Sequence, residues 1–478
     1  MTAHPTSSAC AGFHAAGLSR RQALKVGGLG LFGLTLPGLL RAEADQRARA
    51  MMAHAAAAGL KARAKSVIFL FQFGGPSHVD MFDMKPDAAE NVRGPHQPIA
   101  SKADGIQVSE RLPQTARIMD KVTLIRSMTH PMTNHNSAAY YALTGHAPPT
   151  DDIRLRDSLD LFPAYGSVVD YLAPLPSGEV PTSISYPHVI SDGSVTPGQH
   201  ASFLGKAHDP FLFTQDPNGA DFSLPELSLP AGVSFERMQA RRELQRLVDR
   251  QARLMDHAPV RGFDAYYDRA MTMLQSPRLR EAFNLAAEPA AVREAYGRTT
   301  YGQSCLLARR LVEAGAKFIT VYFSSNIGGQ STKEGGWDTH GFNDTRMFPI
   351  IEEYHLPITE HTLPTLLNDL DTRGLLDETL VVWAGEFGRT PNINKNVSRD
   401  HWPHCYTVLL AGGGVKRGFV HGASDRTGAY PLEKPVRPED LAATVYAALG
   451  FDADVEVLNH QQRPVRLCEG RPVLDVFA

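Results

Sequence analysis

Cysteine and tryptophan are scarce in this chain, with four cysteines and three tryptophans in 478 residues. The cysteines, Cys10, Cys305, Cys405 and Cys468, lie far apart and form no Cys-x-x-Cys pair. That excludes a disulfide framework as the source of stability. Cys405, inside His-Trp-Pro-His-Cys-Tyr, reads as a buried structural thiol. Charge of one sign is lacking too: charged residues make up 21 % and the formal net charge is −3, with no basic tail. A nucleic-acid partner held by electrostatics is therefore not expected. Internal repeats are absent. The length suits one large α/β domain with insertions, or two domains.

Long apolar runs are also missing. The uncharged run Val26–Leu40 is shorter than the roughly 18–20 residues that span a bilayer, and it contains five glycines and Pro37. It follows Ser19-Arg20-Arg21-Gln22-Ala23-Leu24-Lys25 and precedes Arg41-Ala42-Glu43-Ala44. Paired arginines, a Gly-rich core and a small-residue exit read as a twin-arginine export signal over residues 1–44. The expectation is a periplasmic or extracellular protein with no stable membrane span after cleavage. Residues 45–64 read as a linker, and 65–478 as the folded domain.

What is present is a series of short, continuous apolar runs, each followed by a polar loop. Ser66–Phe73, Val122–Ser127, Lys317–Phe323, Thr379–Trp383 and Tyr406–Leu410 fit buried parallel strands, and Pro187–Ser191 is a further candidate. Between them, Ala138–Thr144, Tyr165–Leu172, Gly302–Ala314 and Arg437–Leu449 have helical character. A long helix is expected over Phe348–Arg373, kinked at Pro357 and Pro364. Residues 220–300 read as a helical insertion, with periodic, charged stretches at Phe235–His257 and Phe263–Leu274. Alternation of strand and helix predicts a doubly wound, mostly parallel sheet with helices on both faces.

In such sheets ligands bind beyond the carboxyl ends of the strands, and the polar loops here are rich in carboxylates and imidazoles. Asp338 and His340 follow one strand in Gly-Gly-Trp-Asp-Thr-His-Gly-Phe. Glu386 ends another, and His401 lies one loop later beside Asp400. A carboxylate gathered with imidazoles is what a divalent cation of the zinc or manganese type requires. The expected set is Asp338, His340, His401 and Glu386, at a single site.

The segments KSVIFLFQFGGPSHVDMFDMKP, NHNSAAYYALTGHAPP, GGWDTHGF and VVWAGEFGRTP…RDHWP, with the export signal, resemble an exported bacterial family known as domain-of-unknown-function family 1501. That family is grouped with the alkaline phosphatase and sulfatase superfamily. The resemblance implies an alkaline phosphatase-like core with one or two divalent metals. It also exposes departures. Gln72 stands where catalytic members carry a metal-binding Asp, and Phe387 stands where they carry a metal-binding His. His135 occupies the place of the nucleophile, and the signature for making formylglycine is absent, which argues against an ordinary sulfatase.

Two functions follow as expectations. One is a metal-dependent hydrolase of a phosphate or sulfate ester, using an activated water. In it Glu386 acts as ligand or general base, Arg389 as a clamp on the anion, and Ser137 or Thr133 as a displaced nucleophile, with His135 in the nucleophile's place. The ligand would be a small anionic ester or a saccharide. The other is a non-catalytic binding or structural protein that keeps the sheet and part of the metal site.

Overall fold

The computed structural model describes residues 61–176, 178–224, 237–238, 240, 270–328, 331–342 and 346–478. The export signal, most of the linker and much of the insertion, including nearly all of Phe235–His257 and residues 263–269 of the stretch Phe263–Leu274, lie outside the described residues. The chain runs through strands β1 (Ser66–Phe71) and β2 (Val122–Met128), then helices α1 (His135–Thr144) and α2 (Tyr165–Leu172). Strands β3 (Ser183–Tyr186) and β4 (Phe211–Leu212) follow, then helices α3 (Pro277–Phe283) and α4 (Thr300–Ala314). Strand β5 (Phe318–Tyr322) and helix α5 (Leu356–Thr372) lead to strands β6 (Thr379–Ala384), β7 (Gly388–Arg389), β8 (His401–Trp402), β9 (Tyr406–Ala411) and β10 (Phe419–His421). Helix α6 (Pro438–Ala448) comes last.

Eight strands form one sheet in the order β10-β2-β9-β6-β1-β5-β3-β4. The apolar runs are continuous because both faces of the sheet are covered. Along β1, Ile68 and Leu70 pack into a core with Leu306, Leu307 and Leu311 of α4 and Leu363, Leu366 and Leu370 of α5. Val67, Phe69 and Phe71 point the other way, into a core with Ala142 and Leu143 of α1, Val168 and Leu172 of α2, and Leu441 and Val445 of α6. The doubly wound α/β architecture read from the sequence is the one observed. Helix boundaries have local causes: the Thr299 hydroxyl accepts from the amide of Gly302 at 3.0 Å to open α4, and Gly315, at φ 98°, closes it.

Three expectations are corrected. Strand β9 runs antiparallel to both neighbours, β6 and β2; a run buried on both faces carries no mark of its direction. The strand sought at Pro187–Ser191 is instead Ser183–Tyr186, ending where a cis Tyr186–Pro187 bond turns the chain. The helix expected over 348–373 starts as Met347–Ile350, widens into a π turn at Ile351–His355, and then continues as α5. The π turn lies just before Pro357, which lacks the amide proton that a regular helix needs.

Register brings the chemistry to one edge. Phe71 of β1 pairs with Tyr322 of β5 and with Ala384 of β6, so the loops after these three strands leave side by side. Met128, the last residue of β2, pairs with Tyr406, the first of β9. The reversed β9 therefore receives the 401–405 segment at the same edge.

Candidate metal centre

The centre is built from four loops. After β1 the chain turns through Gly74 and Gly75, at φ 108° and 76°, a region that side chains rarely adopt. The turn lies so close to the next loop that a Cβ on Gly74 would fall on the backbone nitrogens of Trp337 and Asp338. The amide of Trp337 donates to Phe73 O at 2.9 Å, which lays Asp338 against the end of β1. His135 is the first residue of α1. The β7–β8 ribbon pairs Arg389 with His401 and presents His401 from the opposite side.

Asp338 Oδ1 lies 2.8 Å from His340 Nε2, 2.9 Å from His401 Nε2 and 3.3 Å from His135 Nε2. His135, Asp338 and His401 offer one ligand atom each within 4.8 Å of one another and are placed to hold a metal ion. All three imidazoles turn Nδ1 outward to an oxygen. His135 Nδ1 meets Glu386 Oε1 at 2.7 Å, His340 Nδ1 meets Asp400 Oδ1 at 2.9 Å, and His401 Nδ1 meets Thr133 O at 2.8 Å. An acceptor at Nδ1 fixes the tautomer and leaves the Nε2 lone pair for the centre. The Nε2 atoms of His340 and His401 are 2.9 Å apart, and buried His135 Nε2 faces the same Asp338 oxygen at 3.3 Å. Lone pairs and a carboxylate facing each other call for a cation or a proton between them. The donor set fits a divalent metal.

Electrostatics point the same way. Burial disfavours the Asp338 carboxylate, yet Arg389 and the hydrogen bonds from His135, His340 and His401 hold it far below the usual carboxylate range. Burial also works against a charged His135, but Asp338 and Glu386 overcome it and raise its pKa to about 9. A proton on this ring balances charge where a cation would. Burial, aided by the charges of His135 and Arg389, pushes His401 down to about 3 against the pull of Asp338.

The sequence-derived residues meet here, in roles that differ from one another. Asp338, His340 and His401 converge. Glu386 stands behind His135: its Oε1 accepts from His135 and, at 2.8 Å, from the amide of Gly74. Arg389 is fully buried and its donors are spent. Nε reaches Gly75 O at 2.9 Å, and the terminal nitrogens reach Trp337 O at 3.0 Å, Asp338 Oδ1 at 2.8 Å, and the carbonyls of Gly74 and Arg399. It is a strut joining three loops, and no donor is left to clamp an anion. Ser137 is buried and tied to the backbone of Thr150 and Asp152, while the Thr133 hydroxyl donates to Asp151 at 2.7 Å. Ser137 has no base beside it among the described residues, and the Asp151 carboxylate beside Thr133 is shared with the amides of Thr133 and Asn134 in one loop-closing cluster. Gln72 is turned away, its side-chain amide donating to Tyr301 at 2.9 Å, and the Phe387 ring packs 4.3 Å from His401 and 5.0 Å from His135.

Sequence reasoning gave His135 the nucleophile's place and left it out of the ligand set. The signal that could have found it is Asn134-His135-Asn136-Ser137 at the opening of a helix directly after a strand. Asp192 was also passed over. Its buried Oδ2 has no hydrogen-bond partner among the described residues, and burial, with the nearby Asp338 charge, raises its pKa.

Fold and site together define an α/β protein with helices on both faces of the sheet and a His–Asp–His centre at the sheet edge. Residues 64–477 match the family described as Protein of unknown function (DUF1501), and the chain belongs to that family. No curated protein matches the sequence. The fold is similar to that of the PsFucS1 sulfatase from Pseudoalteromonas sp., at 13 % identity over 86 % of this chain and 72 % of that one, with a TM-score of 0.36. It is also similar to a protein in the alkaline phosphatase superfamily from Vibrio parahaemolyticus (10 % identity, 82 % and 68 % covered, TM-score 0.39). A third is the alkaline phosphatase from the Antarctic bacterium TAB5 (11 % identity, 77 % and 97 % covered, TM-score 0.30). No helix among the described residues is long and apolar enough to cross a membrane.

Proposed function

We propose that this protein is an exported hydrolase of phosphate or sulfate esters that works with one divalent cation. The observation that carries the reading is the outward hydrogen bonding of three imidazoles, which aims His135, His340 and His401 Nε2 at Asp338. His135, Asp338 and His401 would hold the ion with His340 beside them, and their nitrogen and oxygen donors suit zinc or manganese. When bound, such an ion supplies positive charge that polarises an ester oxygen and acidifies a water. The chain's own hydroxyls, Ser137 and Thr133, are committed to structural hydrogen bonds, so the attacking group is water. His340 turns Nε2 to Asp338 at 2.8 Å, and Asp400 at its Nδ1 equips it to accept a proton. Glu386 orients His135, and Phe387 keeps one side of the centre dry. The export signal read in residues 1–44 puts the reaction outside the cytoplasm.

One observation favours a binding role without turnover: Arg389 already meets the Asp338 charge at 2.8 Å. Metal analysis of protein purified without chelator, with 4-nitrophenyl phosphate and sulfate assays of the wild type and Asp338→Ala, separates the two. Stoichiometric metal and turnover, both lost in the variant, support the hydrolase. Metal-free protein, or turnover that survives the substitution, removes it.

A further inference from the structure

On a strand, successive side chains leave opposite faces, so β8 sends His401 to the centre and Trp402 away from it. Trp402 helps to line a cavity of about 380 Å³ with Tyr430, Asn392, Asn394, Asp400 and Thr390. That volume falls within the roughly 300–1,000 Å³ range of small-molecule sites.

Both walls are held in place from behind. The Trp402 indole N–H donates to Ala429 O at 2.6 Å, which fixes the ring and leaves its carbon surface as the contact surface. The turn carrying Tyr430 is gathered by Asp425, which accepts from the amides of Thr427 at 2.9 Å, Ala429 at 3.0 Å and Tyr430 at 3.1 Å. Across the cavity, Asn394 Oδ1 accepts from the amides of Asn396 at 2.9 Å and Ser398 at 3.1 Å, while its Nδ2 donates to Asp400 Oδ1 at 3.1 Å. Tyr430 stays 53 % exposed on this prepared frame, which leaves its ring open to a ligand.

The lining selects a chemistry. It holds aromatic and aliphatic surface, amides, threonine hydroxyls and one carboxylate, and no lysine or arginine, so it offers no positive charge to an anion. The Trp402 and Tyr430 rings are 5.7 Å apart and cross at 66°. Crossed rings do not form the parallel slot that a flat base needs, but they match the puckered, two-faced ring of a sugar, apolar on its C–H faces and polar around its rim. We propose that this cavity is a binding site for a neutral saccharide unit, with Trp402 and Tyr430 together forming an apolar wall against one side of the ring and Asn392 and Asp400 taking its hydroxyls. The site is separate from the metal centre, yet Asp400 belongs to both, because its Oδ1 also accepts from His340 Nδ1. Binding here does not require that the centre turn over an ester.

The test uses the full chain titrated with neutral gluco-, manno- and xylo-oligosaccharides, and separately with adenosine and uridine, followed by saturation-transfer NMR. Tyr430→Ala and Asn392→Ala change exposed side chains, and circular dichroism checks that both variants fold. At least one oligosaccharide series is expected to bind, and each variant to weaken it tenfold or more, about 1.4 kcal/mol. Failure of every oligosaccharide to bind overturns the proposal. So does binding that both variants leave unchanged, or binding of the nucleosides in place of the oligosaccharides.

Discussion

The imidazole of His135 stands between two carboxylates, with Nδ1 2.7 Å from Glu386 Oε1 and Nε2 3.3 Å from Asp338 Oδ1. Glu386 thus acts on the centre through the ring it orients. Glu386→Gln keeps an acceptor for the ring but removes the charge, and is expected to weaken metal binding about 10–100-fold. Competition with a chromophoric chelator measures the change. An affinity equal to the wild type's would remove Glu386 from the centre.

The same pair sets a pH dependence. His135 carries a proton below about 9, and an ion must displace it to use Nε2. Apparent metal affinity is therefore expected to rise with pH, roughly tenfold per unit for one displaced proton, and to level off above about pH 9. Calorimetry in buffers of different ionisation enthalpy reads the released proton directly. His135→Ala should bind more weakly, with a flatter profile.

Arg389 ties the 74–75 turn, the 337–338 loop and the β7–β8 ribbon together from a fully buried position. Arg389→Met leaves Asp338 without its counter-charge and frees several carbonyls. A loss of roughly 3–5 kcal/mol is expected, read as a lower urea midpoint. A substrate clamp would instead raise KM and leave stability unchanged.

Gly74→Ala is expected to disturb the centre with the sheet intact, because its Cβ has no room beside Trp337 and Asp338. Metal content should fall while the far-ultraviolet circular dichroism stays native. Gly105→Ala, at a turn where a Cβ meets nothing within 4 Å, serves as the control for backbone strain alone.

Buried histidines govern acid stability. Burial lowers His130 and His146 to about 4 each, against about 6.5 in the unfolded chain. As pH falls below 6.5 the unfolded state takes up these protons first. Their stabilising contribution is thus complete above pH 6.5, is lost as pH drops towards about 4, and amounts to on the order of 1–3 kcal/mol each. Melting midpoints should decline across that window, and His146→Gln, which can still donate to Leu467 O, should flatten the decline.

The sheet was legible in the sequence because strands covered on both faces leave unbroken apolar runs, and β1, β2, β5 and β6 each announce themselves this way. Asp338, His340 and His401 could be grouped because each sits in a polar loop next to such a run. The direction of β9 was hidden, since Tyr406–Ala411 would be equally apolar running either way. The parts of Glu386 and Arg389 were hidden for another reason. A carboxylate that orients a ring and one that binds an ion are the same letter, and only contacts across some 250–315 positions of chain tell them apart.

The reversal of β9 has a consequence for how the protein meets its surroundings. Parallel neighbours must be joined by a crossover that carries the chain back over the sheet, whereas antiparallel neighbours can be joined on one side. The stretch 385–405 never has to make that return journey. All of it can be spent on the rim, where it supplies Glu386 and His401 to one face and Trp402 to the other, so a single connection furnishes two adjoining surfaces for whatever arrives from outside.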